Sequence, residues 1–112
     1  MAKPHLLVDK TEIIVSILMG NNWRNIPITA DKVKRIAITP FKVKKMFGKK
    51  DSEAILIEVS SAPFPVMLVR EKEKEHFDSY VEQLEKWAKN NHITWTNVVK
   101  DGGDPIVPNF PK

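Results

Sequence analysis

The chain has 112 residues, enough for one domain around one core. It has no cysteine, which excludes disulfide frameworks, thiolate zinc sites, iron–sulfur clusters and thiol nucleophiles. Apolar residues at 42% and charged residues at 29%, with a net charge of +4, exclude whole-chain disorder and do not by themselves call for a nucleic-acid partner.

The N-terminal Met1-Ala2-Lys3-Pro4-His5 leads into only three apolar residues before Asp9. A signal peptide needs an apolar stretch of about 7–15 residues. No run approaches the roughly 20 residues of a membrane span. The expected location is the cytoplasm, with peripheral attachment to a membrane as the variant.

The first part of the chain reads as short strands and turns. Leu6-Leu7-Val8 forms a short opening strand. Glu12 to Met19 is rich in β-branched residues and ends at the turn triplet Gly20-Asn21-Asn22. Trp23 to Ile28 is the returning arm of a hairpin. Pro27 inside it removes one ladder donor, which predicts an edge or a bulge. Lys32 to Thr39 alternates as a half-buried strand, and Pro40 is expected to stop it.

Phe41 to Met46 is a weaker strand, and Gly48 to Ser52 a polar turn. Ala54 to Val59 alternates most clearly, with Ile55, Ile57 and Val59 on one face and Leu56 and Glu58 on the other. Val66 to Arg70 makes the last of about seven strands.

From Glu71 the period changes to 3.6. Phe77, Tyr80, Val81, Leu84, Trp87 and Ala88 form one apolar stripe, opposite Asp78, Glu82, Glu85, Lys86 and Lys89. Glu71, Glu73 and Glu75 at one end and Lys86 and Lys89 at the other suit the helix dipole. The pattern predicts a long helix over about 72–90, stopped at Asn90-Asn91, with Ile93 folding back on the last turn. Residues 1–93 therefore read as the domain. Residues 94–112 read as an extension rich in Pro and Gly, from which Ile106, Val107 and Phe110 could dock back.

Seven short antiparallel strands closed by one amphipathic helix make a β-rich α+β sandwich or open barrel whose open end the helix plugs. Over about residues 6–93 this order of elements resembles the pleckstrin-homology-like (PH-like) superfold, in particular the small bacterial PH-like domains. The segments that carry the resemblance are Ile26-Pro27-Ile28 through Ile38, Ile55-Leu56-Ile57, Val66 to Val69, and Phe77 to Val81 with Leu84 and Trp87. Relatives of this fold bind phosphoinositides, peptides or partner proteins. The resemblance implies a lipid headgroup site beside the loop joining the first two strands. With Glu12–Met19 and Trp23–Ile28 taken as the first pair, that loop is Gly20-Asn21-Asn22 with only Arg24 nearby, so phosphoinositide binding at the familiar site is not supported.

Charge is distributed unevenly. Residues 31–50 hold eight Lys and Arg and one acid, net +7, more than the +4 of the whole chain. Within this segment Lys42, Lys44, Lys45, Lys49 and Lys50 flank Met46 and Phe47. This pattern fits a basic loop with an apolar tip facing an anionic membrane or phospholipid, where each lysine contributes about 1 kcal/mol. It also fits a solvated hairpin whose lysines block edge pairing. Trp23 and Phe64 complete the candidates for a membrane tip or partner surface.

Other chemistry has little support. His5, His76 and His92 match no ligand spacing, so no metal is expected. No P-loop, dinucleotide fingerprint or nucleophile elbow occurs, and no cofactor or catalytic residue is assigned. Phe41 and Phe47 alone accompany the basic run, which makes nucleic acid an unlikely partner. The expectation is a non-catalytic binding or scaffolding module for a protein partner or a second copy of itself. An anionic membrane surface is the alternative, followed by nucleic acid or an unrecognised enzyme.

Overall fold

The computed structural model describes residues 5–60 and 65–106. Phe64 lies outside them, as do Val107 and Phe110 of the tail. Seven strands form two sheets: β1 (Leu6–Val8), β2 (Glu12–Met19), β3 (Asn22–Thr29), β4 (Val33–Lys45), β5 (Gly48–Val59), β6 (Val66–Val69) and β7 (Thr94–Asn97). Among the described residues three α-helices accompany them: α1 (Arg70–Glu73), α2 (Phe77–Asn90) and α3 (Val98–Asp101).

The first sheet has the order β1-β2-β3 and is antiparallel. Gly20 adopts φ 65° at its turn, and Pro27 lies on the edge strand β3 opposite Ile14, where the missing donor costs least. The second sheet has the order β6-β5-β4-β7. Its β4–β5 pair is a long antiparallel hairpin, whereas β7 lies parallel to β4.

Three expectations change here. Pro40 does not stop a strand: β4 runs through it for 13 residues, with Pro40 opposite Glu53. It lies just beyond the stretch Arg35–Ile38 that β7 borders, where among the described residues no strand pairs with this edge of β4, and such an edge tolerates a proline. Gly48 to Ser52 is not a turn but the start of β5, and the hairpin reverses at Met46-Phe47. Seven strands result because two expected segments fuse into β4 and β7 forms within Ile93 to Val99, a stretch that the sequence reads as a short extended piece after the helix.

The closing helix is also shorter than expected. α2 has 14 residues, preceded by the α1 turn and a 3-10 turn over Lys74–His76. The acidic run does not simply prolong the helix, because Glu73 turns inward and is buried. The predicted stripe is otherwise the one observed. Phe77, Tyr80, Leu84, Trp87 and Ala88 are buried and Val81 packs against them. They meet Ile13, Val15, Ile36, Ile38, Ile55 and Ile57, so the core lies between the two sheets and α2.

The helix ends in a Schellman motif. The Ile93 N–H donates to Ala88 O at 2.8 Å and the His92 N–H to Lys89 O at 3.4 Å. The left-handed residue is His92, with φ 57°, rather than Asn90 or Asn91. His92→Gly should therefore raise stability by about 0.5–1 kcal/mol, read as a higher urea midpoint, because glycine adopts this φ without steric cost.

Residues 94–106 belong to the packed structure. β5 is central in its sheet, so Ala54 and Leu56 are buried as well as Ile55 and Ile57. Ala37 and Thr39 share the second face through their pairing with Leu56 and Ala54. α3 packs on β4, and the Ile106 N–H donates to the Thr39 hydroxyl at 2.8 Å. The segment after the helix thus helps cover a sheet face that would otherwise expose apolar side chains.

Candidate functional site

The basic segment is the outer half of the β4–β5 hairpin. β7 pairs with β4 only at Arg35–Ile38, and β6 with β5 only at Ala54–Ile57, so the hairpin from about residue 40 to 53 projects beyond both neighbours. Its register is Lys42 with Asp51, Val43 with Lys50, Lys44 with Lys49 and Lys45 with Gly48. Residues directly opposite share a face, and two residues along the same strand share it too. Lys42, Lys44, Lys49 and Asp51 therefore stand on one face, and Phe41, Val43, Lys50 and Ser52 on the other.

The lysines are not equivalent. Lys42 Nζ lies 3.6 Å from Asp51 and Lys50 Nζ 3.3 Å from Glu71. Lys44 and Lys49 have no ion pair among the described residues, and they oppose each other. Like charges in direct cross-strand register destabilise a ladder. The Lys45 backbone pairs with Gly48, and its side chain lies outside the described groups.

At the tip, Met46 and Phe47 are 90% and 96% exposed, the most exposed large apolar side chains among the described residues. The hydrophobic interior gains nothing from them. Gly48 follows with φ 118°, which lets the chain reverse after two bulky residues.

The hairpin is tied at its base. Arg70 Nε donates to Glu53 at 2.6 Å, and Arg70 Nη2 to Asp78 at 2.8 Å. Its guanidinium lies 4.4 Å above the Phe77 ring. The hydrogen bond from Arg70 holds the Asp78 carboxyl below its ordinary range. Together with Lys50–Glu71, these contacts fix the hairpin against α1 and the start of α2.

Trp23 is placed elsewhere. It lies on β3 of the other sheet, opposite Leu18, and both are 55% exposed. One ring face stacks on His5 at 4.5 Å between centroids. The hairpin tip and Trp23 thus belong to different sheets, and Phe64 lies outside the described residues.

Two features were not foreseen. First, the His5 ring Nδ1 is 3.0 Å from Glu73 Oε2, while the His5 backbone N–H donates to the Tyr80 hydroxyl at 2.8 Å. Glu73 fell inside an acidic run and Tyr80 inside an apolar stripe, so neither pattern signalled the pairing. Burial pushes the Tyr80 phenol above its ordinary value. A raised acid retains its proton in the folded state. The stability it contributes is complete below about pH 10 and is lost as pH rises through the folded value. Tyr80 is the one tyrosine. Phenolate absorbance should therefore titrate later in the folded chain than in urea, and Tyr80→Phe should remove that part of the alkaline loss of stability.

Second, a cleft of about 530 Å³ lies where the hairpin base meets the C-terminal segment, lined by Pro40, Phe41, Lys42, Lys49, Asp51, Ser52, Pro105 and Ile106. Among the described residues no cluster of three or more His, Asp or Glu side chains is placed to hold a metal ion. No helix among them is long and apolar enough to cross a membrane. Compared with protein-family models, with curated proteins and with solved structures, the chain gives no match.

Proposed function

We propose that the chain is a non-catalytic binding module of PH-like kind that attaches to an anionic membrane surface through the β4–β5 hairpin. The observation that supports this most is the tip: Met46 and Phe47 stand almost fully exposed beside the opposed Lys44 and Lys49, which have no ion pair among the described residues. A lipid interface accepts apolar side chains, and its anionic headgroups relieve the repulsion between the two lysines. The ties from Arg70 and Glu71 hold the hairpin in one orientation, which lowers the entropy lost on binding.

Cosedimentation with phosphatidylglycerol vesicles tests this reading, with phosphatidylcholine vesicles as the neutral control. Binding should grow with anionic lipid and fall with salt. Lys44→Glu with Lys49→Glu removes about 2 kcal/mol of attraction and adds comparable repulsion, roughly three orders of magnitude in affinity. No association with anionic vesicles at low salt would refute the reading.

A protein partner or a second copy is the second reading, supported by hairpin edges beyond β6 and β7 that pair with no strand among the described residues and could accept an added one. It predicts a mass in sedimentation that rises with concentration or with an added partner. The wild-type chain staying monomeric at every concentration would remove self-association.

A further inference from the structure

On the premise of membrane attachment through the hairpin, we propose that Lys44 and Lys49 form a clamp for a phosphomonoester, the headgroup of a lipid such as phosphatidic acid. Charges along one face of the hairpin follow an order. Three rungs continue the face of Ile38 and Ile55 from base to tip: Pro40 opposite Glu53, Lys42 opposite Asp51, and Lys44 opposite Lys49. Glu53 accepts from Arg70 Nε at 2.6 Å, and Asp51 lies 3.6 Å from Lys42 Nζ. The third rung instead sets two like charges against each other, and neither lysine has an ion pair among the described residues. Lys50 stands on the other face and lies 3.3 Å from Glu71. Uncompensated charge on the face of these three rungs is thus gathered in one exposed pair of lysines near the tip.

The spacing and the charge select the ligand. Directly opposed residues have Cβ atoms about 4.5–5.5 Å apart. Two four-carbon stems rooted that close can bring both ammonium groups onto one phosphoryl group, each as a point charge with N–H donors. A phosphodiester carries one negative charge and answers one lysine. A monoester loses its second proton at about pH 6, carries about −1.5 to −2 at neutral pH, and answers both. A dianion held between them also removes the repulsion that the rung otherwise imposes on the ladder. The position suits a headgroup. The pair is set back from Met46 and Phe47 by the Lys45–Gly48 rung, so a tip entering the lipid leaves the clamp at headgroup level.

Two probes separate a lipid-borne phosphate from a free one. In the first, the full chain is titrated with phosphatidylcholine vesicles that contain either phosphatidic acid or phosphatidylglycerol, the two sets matched in zeta potential. Phosphatidic acid should bind roughly fivefold tighter, the effect of one further lysine answered at an anionic surface. In the second, glycerol 3-phosphate or dimethyl phosphate is added in solution while the ε-methylene resonances of Lys44 and Lys49 are followed. The monoester should shift both to saturation, and the diester should not. Lys44→Gln should bring the preference for phosphatidic acid to about one. Lys86→Gln removes an equal charge from its pair with Glu82 on α2 and should leave the preference roughly fivefold.

Equal binding to the two vesicle sets would overturn the clamp and leave membrane attachment standing. So would a preference for phosphatidic acid that persists in Lys44→Gln. Equal shifts from dimethyl phosphate would mean that the lysines answer any single negative charge, and would also overturn the clamp. A vesicle preference without shifts in solution supports the clamp and places its phosphate on a lipid. Saturable shifts from glycerol 3-phosphate with no vesicle binding support the clamp, identify a free phosphomonoester as the source and refute membrane attachment. Neither vesicle binding nor shifts would refute both.

Discussion

Phe77→Ala should lower the stability of the fold by about 3–5 kcal/mol, read from the urea midpoint at unchanged slope. Phe77 is fully buried at the first position of α2, and it packs in the cluster that joins both sheets. Truncation leaves a cavity bounded by two sheets and a helix, three elements that cannot all move inward together. It also removes the ring beneath Arg70, a contact of about 0.5–1 kcal/mol at a partly exposed site. Small domains have about 5–15 kcal/mol in total, so the variant loses a large share of its margin. Val81→Ala, at the partly buried edge of the same stripe, should cost much less. Equal costs at the two positions would mean that α2 does not close the core as its burial pattern indicates.

The helix stripe was legible because it depends on one period within one segment. Phe77, Tyr80, Leu84, Trp87 and Ala88 repeat at helical spacing, and nothing distant alters which face they occupy. Its beginning was less legible. Glu73 pairs with His5 from the other end of the domain, a contact between residues 68 apart that no local window contains. The first hairpin could be read from Gly20, whose positive φ its sequence context suggests. The second could not. Proline is a reliable stop only in a strand with neighbours on both sides, and Pro40 lies past the end of β7.

β7 itself carries little local signal. Thr94-Trp95-Thr96-Asn97 becomes a strand because β4 offers a parallel edge at Arg35–Ile38. The burial of Leu56 on the face opposite Ile55 and Ile57 is likewise not a local property: Thr39 on that face accepts from the Ile106 N–H, a residue 67 positions away. For the candidate site, the charge run of residues 42–50 was visible in the sequence. What the sequence could not show was register. A shift of one residue would have separated Lys44 from Lys49 and reversed which lysines share a face.

Met46→Ser with Phe47→Ser separates the apolar from the electrostatic part of the proposed membrane contact. Full burial of a Phe or Met side chain contributes about 1.5–3 kcal/mol each, and a tip that only enters the interface gains part of this. A loss of about 2–3 kcal/mol, roughly 30-fold to 150-fold in vesicle affinity, is therefore expected. The fold should be unaffected, because both side chains are already almost fully exposed. Salt distinguishes the two contributions. At physiological ionic strength the screening length is about 8 Å, so the lysine term shrinks while the apolar term persists. Wild-type binding should fall with salt to a residue. The tip variant should fall to none, and Lys44→Glu with Lys49→Glu should bind weakly and with little dependence on salt. Undiminished vesicle binding by the tip variant would show that Met46 and Phe47 do not enter the lipid. Their exposure would then point to a protein surface, and the edges of β4 and β5 beyond β7 and β6 would become the contact to probe.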